Sequence, residues 1–258
     1  MQPTWISGGN TTVSLNEYTA ADTEGPYIDV TVGYQRTGEE KVSNEKRPSV
    51  NMTLLTISKL CGQLGLSVPA AGGLSLSEKQ DISIAAQMSG SLIVPDIARE
   101  PAVSAGDVIT VVPIHQGDAL TPLYAKKHLL VELGMAIARS DGYVDDYELV
   151  QLSYTMEKHF SFTALEIRAL TALKDFCLLY PPDFQDTARL LVPLMPMWER
   201  LEASRMMTTV AAAGGQLARM EFDALGILFD IMELGDDAFN QVIDELCLKR
   251  VWVLLKGR

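Results

Sequence analysis

The sequence predicts a mainly α-helical protein, in which a C-terminal helical bundle of two repeated halves follows a smaller irregular region with short strands and helices. Three observations predict it. Glycine and proline are concentrated early, with 12 Gly and 7 Pro in the first 120 residues against 7 Gly and 5 Pro in the longer remainder. From Pro122 onward the apolar residues recur with a helical period. An eleven-residue pattern at 138–148 returns 73 residues later, as an internal duplication does. These observations divide the 258 residues into an irregular, β-containing segment at 1–48, a small α+β region at 49–120 and an all-α bundle at 121–249.

In the first region Val30, Val32 and Tyr34 alternate with Thr31 and Gly33, the pattern of a half-buried strand bounded by Gly25-Pro26 and Gly38. Residues 38–48 are polar and aperiodic and predict a linker or mobile loop. Leu54, Leu55, Ile57, Leu60 and Leu64 predict a short helix from near Val50, stopped by Gly65. Ser77 and Gln80 match a capping box, with a helix through Met88 to follow. Val108 to Val112, set between Gly106-Asp107 and Pro113, predict a buried or pairing strand.

Beyond Pro122, Leu123, Leu130, Leu133 and Ile137 lie along one face of a helix that runs to Arg139. Further helices are expected near 146–160, 163–179, 184–195, 197–213, 219–234 and 237–249, joined by short connections as in a compact bundle. Pro181-Pro182 and the Pro193/Pro196 pair punctuate the series, because proline removes a helix donor and constrains its predecessor.

Charge and composition narrow the function. The net charge is −12 with a sequence pI of about 4.7, divided evenly at −6 before and −6 after residue 120. Such a surface repels a nucleic-acid duplex, and the longest basic runs are pairs such as Lys126-Lys127 and Lys249-Arg250. No apolar run reaches the roughly 18 residues that span a bilayer, and Met1 to Asn10 has no secretory-leader pattern. Cys61, Cys177 and Cys247 form neither a CxxC pair nor an even disulfide set, which fits a reducing cytoplasm. The nucleophile-elbow, dinucleotide, P-loop and HExxH patterns are all absent from the sequence. His115, His128 and His159 are far apart and predict surface or helix-end residues, Cys61 a small core residue, and Met195, Met197, Met206 and Met207 core packing.

The segment Ala138 to Glu148 carries the strongest local signal. Gly142 can end one helix in the left-handed conformation, Asp145 can cap the next, and Glu148 three residues on completes a capping box. Val144 and Leu149 can form a hydrophobic staple. This reading, a helix-turn-helix connector worth on the order of 1–2 kcal/mol in capping, accounts for the whole motif. A second reading is a hard-cation site: Asp141, Asp145 and Glu148 are the oxygen donors that Ca²⁺ or Mg²⁺ prefers, although glycine directly after the first aspartate is not an EF-hand spacing. A third is a contact surface for other proteins, made of Asp141, Asp145, Asp146 and Glu148 with Glu221 from the second copy.

That second copy, Ala211 to Glu221, aligns without gaps: Gly215 on Gly142, Leu217 on Val144 and Glu221 on Glu148. Gly214 and Ala218 stand where the first copy has Asp141 and Asp145. Two helical halves, each built on Ala-x-x-Asp-Gly-x-Val-Asp-x-x-Glu, resemble the TerB domain of tellurite-resistance proteins over about residues 121–245. Asp141, Gly142, Val144, Asp145 and Glu148 match that pattern; in the second copy Gly215, Leu217 and Glu221 do. The stretch from Ser161 to Leu170 and the pair Leu234-Gly235 extend the likeness. The resemblance implies an all-helical bundle without known enzymatic chemistry, acting as an interaction module in stress-response or phage-defence systems. It also implies that the region of Cys61 to Ser67 and Val108 to Val112 is a diverged form of the segment that precedes the domain in longer relatives.

Overall fold

The computed structural model describes residues 5–8, 11–18, 27–34, 53–67, 73–215 and 217–256. The fold is mainly helical, with short strands ahead of the helices. The chain forms two compact units: residues up to Thr121 together with Thr163–Phe176, and Pro122–Phe162 together with Cys177–Arg258.

In the first unit, β1 (Trp5–Gly8), β2 (Thr11–Tyr18) and β3 (Tyr27–Tyr34) form an antiparallel meander in which Val13 pairs with both Ile6 and Val32. The strand expected at Val30 to Tyr34 is thus longer, and it pairs with β2, a partner that the alternation did not announce. The linker expected at 38–48 and the burial of Val30, Val32 and Tyr34 lie outside the described residues.

The helix expected from near Val50 is instead a strand followed by a shorter helix. Thr53–Thr56 is β4, and only Ile57–Gln63 is helical, as α1. Thr56 makes the switch: its backbone is extended and its hydroxyl accepts from the Lys59 N–H at 3.3 Å. Pairing with β6 (Val108–Pro113) decides the strand, setting Leu55 opposite Ile109. Ser91–Val94 is β5, an element the sequence reading omitted, on the other side of β6 with Ile93 opposite Val111. α2 (Leu76–Met88) is capped by Ser75 and Glu78, not by Ser77 and Gln80. The two boxes overlap, and the ionised glutamate wins because its bonds are charge-assisted and its charge suits the helix N-terminus. Glu78 accepts from the Ser75 N–H at 2.8 Å, and these bonds to Ser75 hold its carboxyl below the ordinary range. Leu55, Ile57, Leu60, Cys61, Ile82, Ala86, Ile93 and Ile109 make the core of this unit. Cys61 is a buried core residue, as its setting predicted, and burial raises its thiol.

Thr163–Phe176, read from the sequence as part of the bundle, groups with the first unit for identifiable reasons. It holds most of α5 (Ala164–Leu179). Glu166, fully buried, caps the helix by accepting from the Thr163 N–H at 3.1 Å and also accepts from the Thr121 N–H at 2.8 Å. Thr163 Oγ1 donates to the Ala119 carbonyl at 2.7 Å, and Arg168 pairs with Asp118.

The second unit is helical throughout: α3 (Tyr124–Ala138), α4 (Asp146–His159), α6 (Phe184–Leu191), α7 (Met197–Ala211), α8 (Arg219–Ile231) and α9 (Gly235–Lys256). The helix expected over 184–195 gives way to a 3-10 turn at Val192–Leu194, because Pro193 cannot donate to the α-helical ladder. α3 is the central helix and packs against α4, α6, α7 and α8. It is therefore buried on every face from Lys127 to Ala138, not along one stripe, and Leu123, expected on that stripe, is 48% exposed. His128 is a correction of the same kind, since it is buried and not at the surface, while His115 and His159 are exposed. Its Nε2 lies 3.3 Å from Glu132 Oε1 and its Nδ1 3.3 Å from the Tyr124 hydroxyl, so both ring nitrogens have polar neighbours in the core. The buried Lys127 donates to the Ser161 carbonyl at 2.8 Å and lies over the Phe162 ring. Met195, Met206 and Met207 are core residues as expected, whereas Met197 is exposed at the start of α7.

Gly134 sets the approach of α3 to α4. A Cβ there would lie 2.5 Å from Leu152 Cδ1 and 3.0 Å from Cδ2, and Leu152 is buried, so its side chain must shift within the core. Gly134→Ala is predicted to destabilise the protein by about 1–3 kcal/mol, the range for overpacked cores. Urea unfolding checks this, and Leu152→Ala should cost less in the Gly134→Ala background than in the wild type if the clash is its cause.

Candidate functional site

The repeat read in the sequence is carried by the backbone helix for helix. α3 and α7 both have 15 residues and begin and end 73 positions apart, and α4 and α8 begin 73 apart. The turns match bond for bond. Gly142 N–H donates to the Arg139 carbonyl and Gly215 N–H to that of Ala212, with φ of +91° and +110° at the two glycines. These left-handed values favour glycine, and they are what both copies retain.

The α4 motif is the capping box the sequence predicts. Asp145 Oδ1 accepts from the Tyr147 N–H at 2.7 Å, while Glu148 Oε2 reaches back to the Asp145 N–H at 2.7 Å. Asp141 Oδ1 accepts from the Tyr143 N–H at 2.9 Å and closes the turn before it. In the second copy only half of this survives. Glu221 Oε2 accepts from the Ala218 N–H at 2.6 Å, but alanine has no side-chain acceptor to give in return.

What the sequence did not disclose is where the two glutamates go. Glu148 and Glu221 are both 4% exposed, and their carboxyl groups hydrogen-bond to each other. A hydrogen bond between two carboxyls needs a proton on one of them. Burial is the main cause that pushes Glu148 up to about 9; its hydrogen bond to Glu221 and the charges of Glu221 and Asp141 add to this, while the Asp145 N–H opposes it. Glu221 is also raised, again mainly by burial. Burial and mutual charge thus favour one shared proton on the pair.

Equivalent residues touch at a second place. Lys126 of α3 and Glu199 of α7, again 73 positions apart, form an ion pair. α3 packs on α8, and α4 on α7. Contacts between equivalent positions, with exchanged partners for the rest, define an isologous interface about a two-fold axis. The hairpin α3–α4 is thus related to the hairpin α7–α8 by a pseudo-dyad that runs past Glu148 and Glu221.

The acidic residues expected to share one surface fall into two groups. Asp141 and Asp146 are exposed and Asp145 is half-buried, so the turn presents three aspartates to solvent. Glu148 and Glu221 are interior, which corrects their placement on an exposed contact surface: each is drawn in by its bond to the cap residue of its own helix. Gly214, in the place of Asp141, lies beside Asp145: a Cβ there would sit in ordinary contact with Asp145 Oδ2, at 3.7 Å. Among the described residues, no group of three or more His, Cys, Asp or Glu side chains is placed to hold a metal ion. No helix among them is long and apolar enough to cross a membrane. No protein-family model matches the chain, and no curated protein or solved structure is significantly similar to it.

Beside the aspartates, α4 carries a stripe that the sequence reading missed. Tyr147, Val150 and Tyr154 are 52%, 53% and 60% exposed, at the i, i+3, i+7 spacing of one helix face. Met220 and Ile227 of α8, equivalent to Tyr147 and Tyr154, are also exposed. The signal was available: these apolar residues fall out of phase with Leu149, Leu152 and Met156, which are buried.

The unfilled cap gives a direct prediction. Ala218→Ser, which supplies the missing acceptor without adding charge near the glutamates, should stabilise the protein by about 1 kcal/mol, measured as a raised urea midpoint at unchanged slope.

Proposed function

We propose that the repeated helical unit is a non-enzymatic, TerB-like interaction module that captures a partner protein on the outer face of α4. The observation that carries this reading is the stripe of Tyr147, Val150 and Tyr154, exposed beside Asp141 and Asp146. Large apolar side chains kept in water forgo roughly 1.5–3 kcal/mol each that burial would return. Tyrosine adds rigid contact area and a hydroxyl that can bond across an interface. The adjoining carboxylates select for a segment that carries Lys or Arg along with its apolar residues, and they speed its encounter. Three further features support the reading: the TerB-like pattern at 138–148, its second copy, and a net charge of −12 that disfavours nucleic acid as the ligand. The partner then belongs to a bacterial stress-response, tellurite-resistance or phage-defence assembly.

The test is capture on the full chain. With the wild-type protein as bait, a partner identified by mass spectrometry should be recovered from bacterial lysate. Tyr147→Ser/Tyr154→Ser should reduce its affinity at least about tenfold, since central interface tyrosines commonly contribute more than 1.4 kcal/mol. Asp141→Asn/Asp146→Asn should reduce it less and weaken its salt dependence. Circular dichroism should stay unchanged in both. Undiminished capture by the tyrosine variant would rule out this face.

A further inference from the structure

We propose that Glu148 and Glu221 form a single-proton latch, which tightens the packing of the hairpin α3–α4 on the hairpin α7–α8 while the proton is present and weakens it when the proton leaves. The geometry supplies the argument. The two carboxyls occupy equivalent positions on the pseudo-dyad, both are removed from water, and each already spends one oxygen on a backbone N–H of its own cap. The proton between them bonds one hairpin to the other at this end of the interface. If it is lost, two like charges face each other in a buried setting, and among the described residues no base pairs with either.

Among the described residues, the surrounding charges are engaged elsewhere or are themselves negative. In the turn before α4, Asp141 adds a negative charge that bears on both glutamates, and Asp145 approaches Gly214 of the opposite turn. The bases on the packed helices are committed elsewhere. Arg139 at the end of α3 donates to the Leu178 carbonyl, and Lys126 pairs with Glu199. On α7, Arg200 pairs with Glu233 and Arg205 with Glu202 and with Glu245 of α9. On α6, Arg189 pairs with Asp186, and on α8 Arg219 faces Asp223.

The linkage has a definite sign. A carboxyl whose folded value lies above its unfolded value keeps a proton that the unfolded chain has given up. Stability from the pair is therefore greatest below the ordinary carboxyl range near 4.5 and declines as pH rises toward about 9. One retained proton raises the unfolding equilibrium constant by up to about tenfold per pH unit across that window. Glu148→Gln copies the protonated form, because its carbonyl can keep the Asp145 N–H while its amide donates to Glu221.

Infrared spectroscopy of the full-length protein in D2O tests the latch without any variant. A protonated carboxyl band should persist at neutral pD and titrate away in the alkaline range, and it should be missing from both Glu148→Gln and Glu221→Gln. In parallel, urea unfolding between pH 6 and 9 should show the wild type losing stability relative to Glu148→Gln, with the variant the more stable at pH 9. A wild-type spectrum with every carboxyl ionised at neutral pD would overturn the proposal. So would parallel pH profiles for the wild type and Glu148→Gln.

Discussion

A carboxyl group withdrawn from water must keep its proton, meet a cation or gather hydrogen-bond donors, and Glu148 and Glu221 are withdrawn from water together. Each is placed by its own helix start, where it bonds the N–H of the residue that opens the first turn. Neither bond depends on the other copy. It is the two-fold packing of the hairpins that brings the two ends together, so local capping and global assembly meet at one pair of side chains. The result is a polar contact in the interior that is satisfied in one protonation state and frustrated in the other.

The rest of the helical unit is consistent with that constraint. Gly142 and Gly215 keep left-handed φ because the chain must turn sharply enough for α4 and α8 to deliver their glutamates inward. Gly134 lets α4 lie close along α3. α3, surrounded by its neighbours, carries Lys127, His128 and Glu132 within the core, and the partners assigned to them are a carbonyl, a ring face, a hydroxyl and one another. The outer face of α4 differs in kind: Tyr147, Val150 and Tyr154 stay in water beside aspartates. That difference separates the part of the repeat that holds the fold from the part available to a partner.

Much of the helical architecture was legible in the sequence. Periodicity located the helices to within a few residues, and Asp145 with Glu148 announced their capping box. The 73-residue repeat extends to whole helices. Illegible were the contacts that depend on which element packs where. β4 looked helical because Leu54, Leu55 and Ile57 fit either period over so short a run, and pairing with β6 decided it. β5 could have been found, since Leu92, Ile93 and Val94 lie between Gly90 and Pro95. His128 looked superficial beside a lysine, but α3 is enclosed on every face. In the site, the cap bonds were readable because they are local. The meeting of Glu148 with Glu221 was not, because spacing along one chain does not say that a dyad passes between two copies.

A double-mutant cycle at that meeting point tests the account most directly. Urea unfolding at pH 7 would compare the wild type with Glu148→Gln, Glu221→Gln and the double variant. If the two side chains share one proton, either substitution alone removes the need to retain it, and the second can remove nothing further. The account predicts a double variant that falls short of the summed single effects by at least about 1 kcal/mol, well beyond the 0.3–0.5 kcal/mol scatter of independent sites. Additive effects within that scatter would mean that the two glutamates do not share a proton, and would contradict it.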